Sequence, residues 1–505
     1  MSRVLMRTLR DLFLISFVLV SFSSVGSTEN ILKARLLGNI STIDGAKINQ
    51  VNDHVIAENV YSHLVRYKPG SVDIEPDLAV SWTISRDGKV YTFNLRKGVK
   101  WHKEFGGFTA KDVKYSIERT LDPKTKSPNA GDFSLVDKVE VIDDYTVRIS
   151  LKEPYAPFLT VTLPYRAGWI LNQAAVEKFG SEYGLNPIGT GPFIFDRYIP
   201  GTEVVLSANK DYYAGPPKLD RIVFKPISEE TVAEIALERG DIDIMYFRSP
   251  EVYQRLKVKK GIVVEEKTGP GIYSLVFNID KKPFSDPRVR KAIHHAINKD
   301  QIVKYILGGI ATKGTNVLPP NFLSYTEAVT QYDYSLEKAK GLLREAGFGE
   351  GFKTTLYYSQ GSPWPLVVPV IQEDLKKVNI DVELKGLEHA SLMSFIRARK
   401  HDFGVQPMLR PPDPDMIFYL MFHSKGTFNA TGYRSEDENI EKARVEMSLD
   451  KRKAIYVQLQ KKVVEDSPTI PLFYLKVLVA RKPYVKGHPV DLLNGFWGYS
   501  TYIEK

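Results

Sequence analysis

Few side chains in this sequence stand in a pattern that performs catalysis. The chain has no Gly-x-Ser-x-Gly nucleophile turn, no His-Glu-x-x-His metal motif and no phosphate loop ending in Gly-Lys-Ser or Gly-Lys-Thr. His294 and His295 are adjacent on a predicted helix, so their rings face different directions and do not readily share one metal ion. Asp413 and Asp415 each lie beside a proline, as is typical of a turn. The sequence therefore predicts a protein that is not an enzyme and has no catalytic residue, metal or cofactor, with a secreted hydrolase as the alternative from another class.

Arg410 lies in the most distinctive segment, residues 402–415. A short apolar strand there runs into a loop that holds four prolines, and Arg410 precedes Asp413 by three residues. Because proline fixes φ and lacks an amide donor, we expect this loop to be stiff and not to pair as a strand. Loops that follow strands in open α/β domains tend to bind ligands. A surface turn with a solvated arginine is the alternative that these residues alone leave open.

Length and composition indicate a large globular protein. A chain of 505 residues exceeds one hydrophobic core and predicts two to four domains, by the usual domain size of about 100–200 residues. The 43% apolar and 26% charged residues exclude a disordered chain or a multispan membrane protein. The net charge is +9, but no run of five or more Lys or Arg occurs, so nucleic-acid binding is not predicted. Cysteine is absent, which excludes thiol catalysis and an acylated cysteine anchor.

The N-terminus has the order of a secretory signal peptide. Arg3, Arg7 and Arg10 precede an apolar run at residues 12–20, and small residues follow as far as Ser27. The run is too short to cross a bilayer as a helix. We therefore expect residues 1–27 to be removed and the remainder to be exported to a bacterial periplasm without a lipid anchor.

Helical and strand patterns alternate most clearly between residues 335 and 407. Helices are predicted over 335–346, 366–378 and 391–400, and strands over 353–358, 380–385 and 403–406, which is a βαβ rhythm. Thr109 is predicted to cap a helix with Asp112 at its third position. Residues 189–192 (Gly-Thr-Gly-Pro) are predicted to form a tight backbone turn in which glycine permits positive φ.

The sequence resembles the extracellular solute-binding proteins of peptide-type ABC importers, family 5. The resemblance rests on a series of motifs, each weak alone, that follow one another in the family's order along nearly the whole mature chain. The motifs are Asp77-Leu78-Ala79 with Trp82, Trp101 with Ala110-Lys111-Asp112-Val113, Asn186-Pro187-Ile188-Gly189-Thr190-Gly191-Pro192-Phe193, Gly240-Asp241-Ile242-Asp243, Lys282-Pro283-Phe284, Ala296-Ile297-Asn298-Lys299 and Leu318-Pro319-Pro320.

The resemblance implies an α/β fold like that of periplasmic binding proteins (type II, cluster C), with two lobes, a hinge and an extra inserted domain. Mapped by motif, lobe I is expected at residues 28–70, 200–285 and 486–505, the inserted domain at 71–199, and lobe II at 286–485. The family function would be a monomeric receptor that encloses a solute by hinge closure and delivers it to an ABC permease at the inner membrane.

The resemblance also gives Arg410 a role. Peptide-binding members commonly carry an aspartate three residues before an Asp-Pro pair, where it binds the ligand's ammonium group, and here that position is Arg410. Dipeptide binders carry an arginine after the strand equivalent to 353–358, and residues 359–364 contain none. A guanidinium in place of a carboxylate reverses the charge preference, so we expect a small polar anionic solute, bearing a carboxylate or phosphate, in place of a conventional dipeptide.

Further ligand-contacting residues are expected on the same basis. Arg166 follows Tyr165, and nickel-chelate binders of the family have a Tyr-Arg pair in a similar segment. The remaining candidates are a carboxylate and four aromatic side chains: Asp413, Tyr357, Trp364, Tyr433 and Trp497. An oligopeptide receptor remains the alternative within the family. The resemblance also leaves opines, sugar phosphates and metal chelates open as solutes, the last with His423 as a ligand.

Overall fold

The computed structural model describes residues 29–361, 363–493 and 495–504. The predicted signal peptide at residues 1–27 lies outside these ranges. Within them, no helix is both long and apolar enough to cross a membrane.

The described chain is a mixed α/β structure, as predicted. Its strands are β1 Ile31–Leu36, β2 Val65–Tyr67, β3 Ile74–Pro76, β4 Ala79–Ile84, β5 Val90–Leu95, β6 Val136–Asp143, β7 Thr146–Leu151, β8 Phe193–Ile199, β9 Glu203–Ala208, β10 Arg221–Pro226, β11 Ile244–Phe247, β12 Val263–Phe277, β13 Ala311–Lys313, β14 Phe352–Ser359, β15 Ile380–Leu387, β16 Phe403–Leu409, β17 Thr469–Arg481, β18 Val485–Lys486 and β19 Tyr502–Ile503.

The α-helices lie between and beside these strands. They are α1 Val51–Val60, α2 Ala110–Leu121, α3 Gln173–Phe179, α4 Glu230–Arg239, α5 Pro250–Lys257, α6 Pro287–Ala296, α7 Lys299–Gln301, α8 Leu336–Glu345, α9 Trp364–Lys376, α10 His389–Arg397, α11 Asp415–Ile417, α12 Asp437–Val445 and α13 Leu449–Asp466. α2 begins with the predicted capping box, in which Thr109 and Asp112 satisfy each other's backbone amides.

One sheet of eleven strands joins two lobes. Its order is β15-β14-β16-β12-β17-β11-β1-β10-β9-β8, with β13 on β17. We call the part from β11 to β8 lobe I and the part from β15 to β16 lobe II. In lobe II, β14 is parallel to β15 and to β16, as the βαβ rhythm predicted.

The long antiparallel strands β12 and β17 run from one lobe into the other. Their pairing shifts register between Thr268 and Ile272, where the sequence is Gly269-Pro270-Gly271. A Cβ at Gly269 would lie 2.6 Å from the carbonyl oxygen of Leu475 on β17, so the two backbones approach closely there. This bulge, which contains glycine and proline, interrupts the hydrogen-bond ladder between β12 and β17 where the sheet passes from one lobe to the other. The sheet bends most easily at this point because fewer backbone hydrogen bonds resist bending there.

A separate four-stranded sheet forms the inserted domain. Its order is β4-β5-β7-β6, and β6 and β7 form an antiparallel hairpin. α2 packs on this sheet with its apolar face, burying Val113 and Ile117 together with strand residues Phe93 and Ile149. The domain thus has a hydrophobic core distinct from those of the lobes.

Two local expectations were wrong. β16 continues through Pro407 to Leu409, paired with β12, although the proline was expected to end pairing. β14 pairs with β16 only as far as Gly404, so one edge of β16 is open beyond that point and tolerates a residue without an amide hydrogen. Gly189 does not have positive φ; a Cβ there would lie 1.8 Å from the carbonyl oxygen of Val60, so close approach of two backbones is what requires glycine.

Candidate functional site

Two neighbouring cavities, of about 390 and 720 Å³, lie between the lobes, and Leu492 lines both. The smaller is mainly apolar and is bounded by the ends of β1, β11 and β16, by the bulge of β12 and by the start of α1. The larger is lined by Tyr67 and Thr160 on one side and by Pro412 and Asp413 on the other. Ligands of open α/β sheets bind at the carboxyl ends of strands, so these cavities form the candidate binding cleft.

Arg410 lies immediately after β16, where β16 reaches the cleft. Its Nη1 donates to the carbonyl oxygen of Leu409 at 3.0 Å, and its guanidinium carbon lies 4.8 Å from the ring centroid of Phe428. Desolvation lowers the pKa of Arg410, against the opposing fields of Tyr165 and Asp132 in the inserted domain. Arg410 is half-buried and lies between Leu409, which lines the smaller cavity, and Pro412, which lines the larger, but Arg410 itself lines neither.

Arg166, the second predicted arginine, also lines neither cavity. Its Nη1 donates to the carbonyl oxygen of Asn49 at 3.1 Å, but its Nε is buried without a hydrogen-bond partner in the described structure. Desolvation raises the pKa of Asp132, whereas the fields of Arg410 and Arg166 act to lower it. The two predicted arginines thus both lie close enough to Asp132 for their fields to act on its carboxylate.

Arg410 and Arg166 are alike in having no ion-pair partner within the described parts of the chain. Among the residues that the structure describes, no carboxylate oxygen lies within 4 Å of the guanidinium of Arg410 or Arg166. Unpaired guanidinium groups in a partly desolvated cleft favour binding of an anion.

Asp413 is already engaged within the protein. Arg452 on α13 donates two hydrogen bonds to its carboxylate, at 2.6 and 2.8 Å, and Thr160 of the inserted domain donates a third at 2.7 Å. Desolvation works against ionisation, but Arg452 and these hydrogen bonds hold the pKa of Asp413 below its ordinary range. Asp413 therefore joins the inserted domain to lobe II and has little capacity left for a ligand.

The four aromatic side chains predicted to contact the ligand lie in different surroundings. Trp364 is 2% exposed and packs against Tyr273 in the core of lobe II. Tyr433 is buried and donates to Asp466 at 2.8 Å, and Trp497 is buried and donates to Asp491 at 3.1 Å. Tyr357 is half-buried and lies 4.7 Å from the ring of Phe395. None of the four lines either cavity. Tyr67 and Tyr273, which the sequence reasoning did not single out, do.

A half-buried acid near the cleft, Glu58, was also missed. Glu58 follows Val51 and Val55 on the same stripe of α1, and the two valines line the smaller cavity. Desolvation, together with the fields of Asp491 and Asp77, raises the pKa of Glu58 to about 8. Its nearest polar partner is Nε2 of His54 at 3.6 Å. Nothing local in the sequence distinguishes Glu58 from an exposed helical glutamate.

The described residues contain no group of three or more His, Asp or Glu side chains that could hold a metal ion. His423, the ligand considered for a metal chelate, is buried, and its Nε2 lies 3.1 Å from Glu441.

The model of the "Bacterial extracellular solute-binding proteins, family 5 Middle" matches residues 73–429. The chain belongs to this family. Family 5 solute-binding proteins are binding proteins and not enzymes, and this chain is accordingly the substrate-binding receptor of an ABC importer.

Three relatives illustrate what this family 5 protein resembles. "Di/tripeptide-binding protein 2" of Pseudomonas aeruginosa is 32% identical over 474 residues, which is 87% of this chain and 88% of the relative. The structure of HbpA2 from Haemophilus parasuis is 28% identical, with a TM-score of 0.88, and covers 94% of this chain and 100% of that one. The structure of MoaA from A. tumefaciens R10 in complex with mannopinic acid is 30% identical, with a TM-score of 0.74, and covers 95% of this chain and 100% of that one.

Proposed function

We propose that this receptor binds a small polar solute whose anionic group, a carboxylate or phosphate, is held by Arg410, with Arg166 as a second donor. The observation that carries the proposal is that two guanidinium groups beside the cleft have no carboxylate oxygen within 4 Å in the described structure, while the fields of both reach Asp132. Guanidinium offers planar, bidentate hydrogen bonding that suits such groups.

The position of Arg410 supports the same reading. A cation there would repel the ammonium group that peptide receptors of the family bind at the equivalent aspartate. Asp132, an acid whose field acts on Arg410, makes no ion pair with it in the described structure. The binding of a solute with a free ammonium at this point would bring two positive charges together in a poorly solvated cleft.

The test begins with native mass spectrometry of protein purified from its host, to identify a copurified solute. Calorimetry then compares wild type with Arg410→Gln. A charged hydrogen bond contributes roughly 1.5–3 kcal/mol, so we expect affinity to fall about tenfold to more than a hundredfold. Arg344→Gln, which removes an exposed charge of α8 outside the cleft, is the matched control and should leave affinity unchanged. Undiminished affinity of Arg410→Gln would remove this residue from the site.

A receptor for peptides is the second candidate. It is favoured by the 32% identity to a di/tripeptide-binding protein over most of both chains. Neutral dipeptides that bind tightly, with no loss on Arg410→Gln, would favour this candidate over the anionic solute.

We further propose that the protein is exported by means of residues 1–27 and has no lipid anchor. It would act as a monomer and deliver its solute to an ABC permease at the inner membrane. Light scattering of the purified protein checks the monomer, and N-terminal sequencing of the exported protein checks cleavage near residue 27.

A further inference from the structure

Arg397, at the end of α10, shares an aromatic platform with Arg410. The guanidinium carbon of Arg397 lies 4.0 Å from the ring centroid of Phe428, and that of Arg410 lies 4.8 Å from the same centroid. The two guanidinium groups are therefore no more than about 9 Å apart, whichever faces of the ring they occupy.

The platform itself is held in place. The backbone of Phe428 donates to Leu420 at 3.0 Å and accepts a hydrogen bond from Nε2 of Gln406 at 2.9 Å. Gln406 is 1% exposed, and its other side-chain atom, Oε1, is buried without a partner in the described structure. The ring of Phe428 therefore holds the guanidinium groups of Arg397 and Arg410 near each other. The unsatisfied Oε1 of Gln406 lies on β16, the strand that leads to Arg410.

Other arginines of lobe II, unlike Arg397, lie close to acidic partners. Arg399, two residues away, pairs with Asp280 at 3.1 Å, Arg452 pairs with Asp413 at 2.6 Å, and Arg444 lies 3.7 Å from Asp415. Arg397 is exposed, has no hydrogen bond or ion pair in the described structure, and stacks on Phe428. The field of Arg397 also disfavours the charged form of Arg410, which lowers the pKa of Arg410 further.

We propose that the solute carries two anionic groups separated by a short carbon chain, and that Arg397 binds the second while Arg410 binds the first. The proposal rests on the proposed function of Arg410. Two anionic groups compensate two guanidiniums that otherwise repel each other, so a dianion gains more than twice one isolated contact. The solute class is a dicarboxylate or a phosphorylated carboxylate, and Arg397 is the residue that selects it over a monoanion of the same shape.

The test uses pairs of probes that differ by one charge and little in shape: glutarate with its monoamide, and N-acetyl-Ala-Glu with N-acetyl-Ala-Gln, in which acetylation removes the ammonium group. Calorimetry measures each with wild type, Arg397→Gln and Arg410→Gln. Wild type should bind a dianion at least tenfold more tightly than its partner, and Arg397→Gln should abolish that preference while retaining the monoanion. Arg344→Gln, which removes an equal charge elsewhere in lobe II, should retain the preference.

The two proposals fail in different ways. If no dianion binds more tightly than its monoanionic partner, or if Arg397→Gln leaves the preference unchanged, the assignment of Arg397 is overturned. If that occurs while Arg410→Gln still weakens the monoanions, the proposed function survives. If Arg410→Gln changes nothing, or no probe binds, both are overturned.

Discussion

The hydrogen bond between Thr160 and Asp413 links the inserted domain to lobe II, and its removal should weaken solute binding without touching the solute. Thr160 Oγ1 donates to Asp413 Oδ2 at 2.7 Å, and the backbone of Thr160 is tied to lobe I because Tyr67 donates to its carbonyl oxygen at 2.7 Å. Both residues line the larger cavity, so we expect the bond to form when the cleft closes and to break when it opens. Thr160→Val keeps the shape of the side chain and deletes the donor.

The magnitude follows from the remaining partners of Asp413. A hydrogen bond to a charged group contributes about 1.5–3 kcal/mol. After the substitution, Arg452 and the amide of Asp415 still hold the carboxylate, so it is not left uncompensated and the lower part of that range applies. About 1.5–2 kcal/mol less stabilisation of the closed form corresponds to about 10- to 30-fold weaker apparent affinity, since binding and closure share one equilibrium.

Two measurements test this. Calorimetry with the copurified solute gives the affinity, and fluorescence transfer between dyes on Lys111→Cys and Lys461→Cys gives the closed fraction. The chain has no native cysteine, so the labels are specific. Thr162→Val is the matched control, because Thr162 lies in the same segment and its hydroxyl makes a longer bond, 3.4 Å, within the inserted domain.

We expect Thr160→Val to lower both the affinity and the closed fraction, and Thr162→Val to change neither by more than about twofold, consistent with a weak, long hydrogen bond. Equal affinities and equal closed fractions for wild type and Thr160→Val would refute the argument that this contact stabilises closure.

Three further substitutions test the packing and electrostatics described above. Arg452→Met leaves Asp413 buried without its main partner, so urea unfolding should show a loss of about 3–5 kcal/mol. Gly189→Ala places a methyl group 1.8 Å from a backbone oxygen and should cost about 3 kcal/mol or more, whereas Gly131→Ala, with open space around it, should be nearly neutral in the same assay. Glu58 has a folded-state pKa of about 8, above its ordinary 4.5, so the folded protein holds this proton more tightly than the unfolded chain and should lose stability as pH rises from about 5 to 8. Glu58→Gln should flatten this part of the plot of melting temperature against pH. Parallel plots for wild type and variant would contradict the raised pKa.

The sequence was most informative where structure is set locally. Helix and strand periodicity located α8, α9 and α10 with β14 to β16 to within a few residues, because each element buries one face or alternates across a sheet. The capping box at Thr109 was read directly from residue types. The family resemblance supplied the two-lobed topology that periodicity lacks, and it was confirmed.

The sequence was least informative where distant segments meet. Asp413 looked like a ligand-facing acid because its partners, Thr160 and Arg452, lie 253 and 39 residues away in the chain. Trp364 looked like a cleft wall but packs inside lobe II, because neighbouring aromatic rings on β12 and β17 cover it. Glu58 gave no local signal at all, since only the surrounding fold removes it from water.

The position of β17 at the centre of the sheet, between β12 and β11, also bears on when the protein can fold. Residues 469–481 supply this strand, so a growing or translocating chain that has not yet released them leaves β11 and β12 each with an unpaired edge. Neither lobe can complete its hydrogen bonding until almost the whole chain is available. Such non-local pairing slows folding. Both lobes therefore complete their sheet only after residues 469–481 are free to insert between β11 and β12.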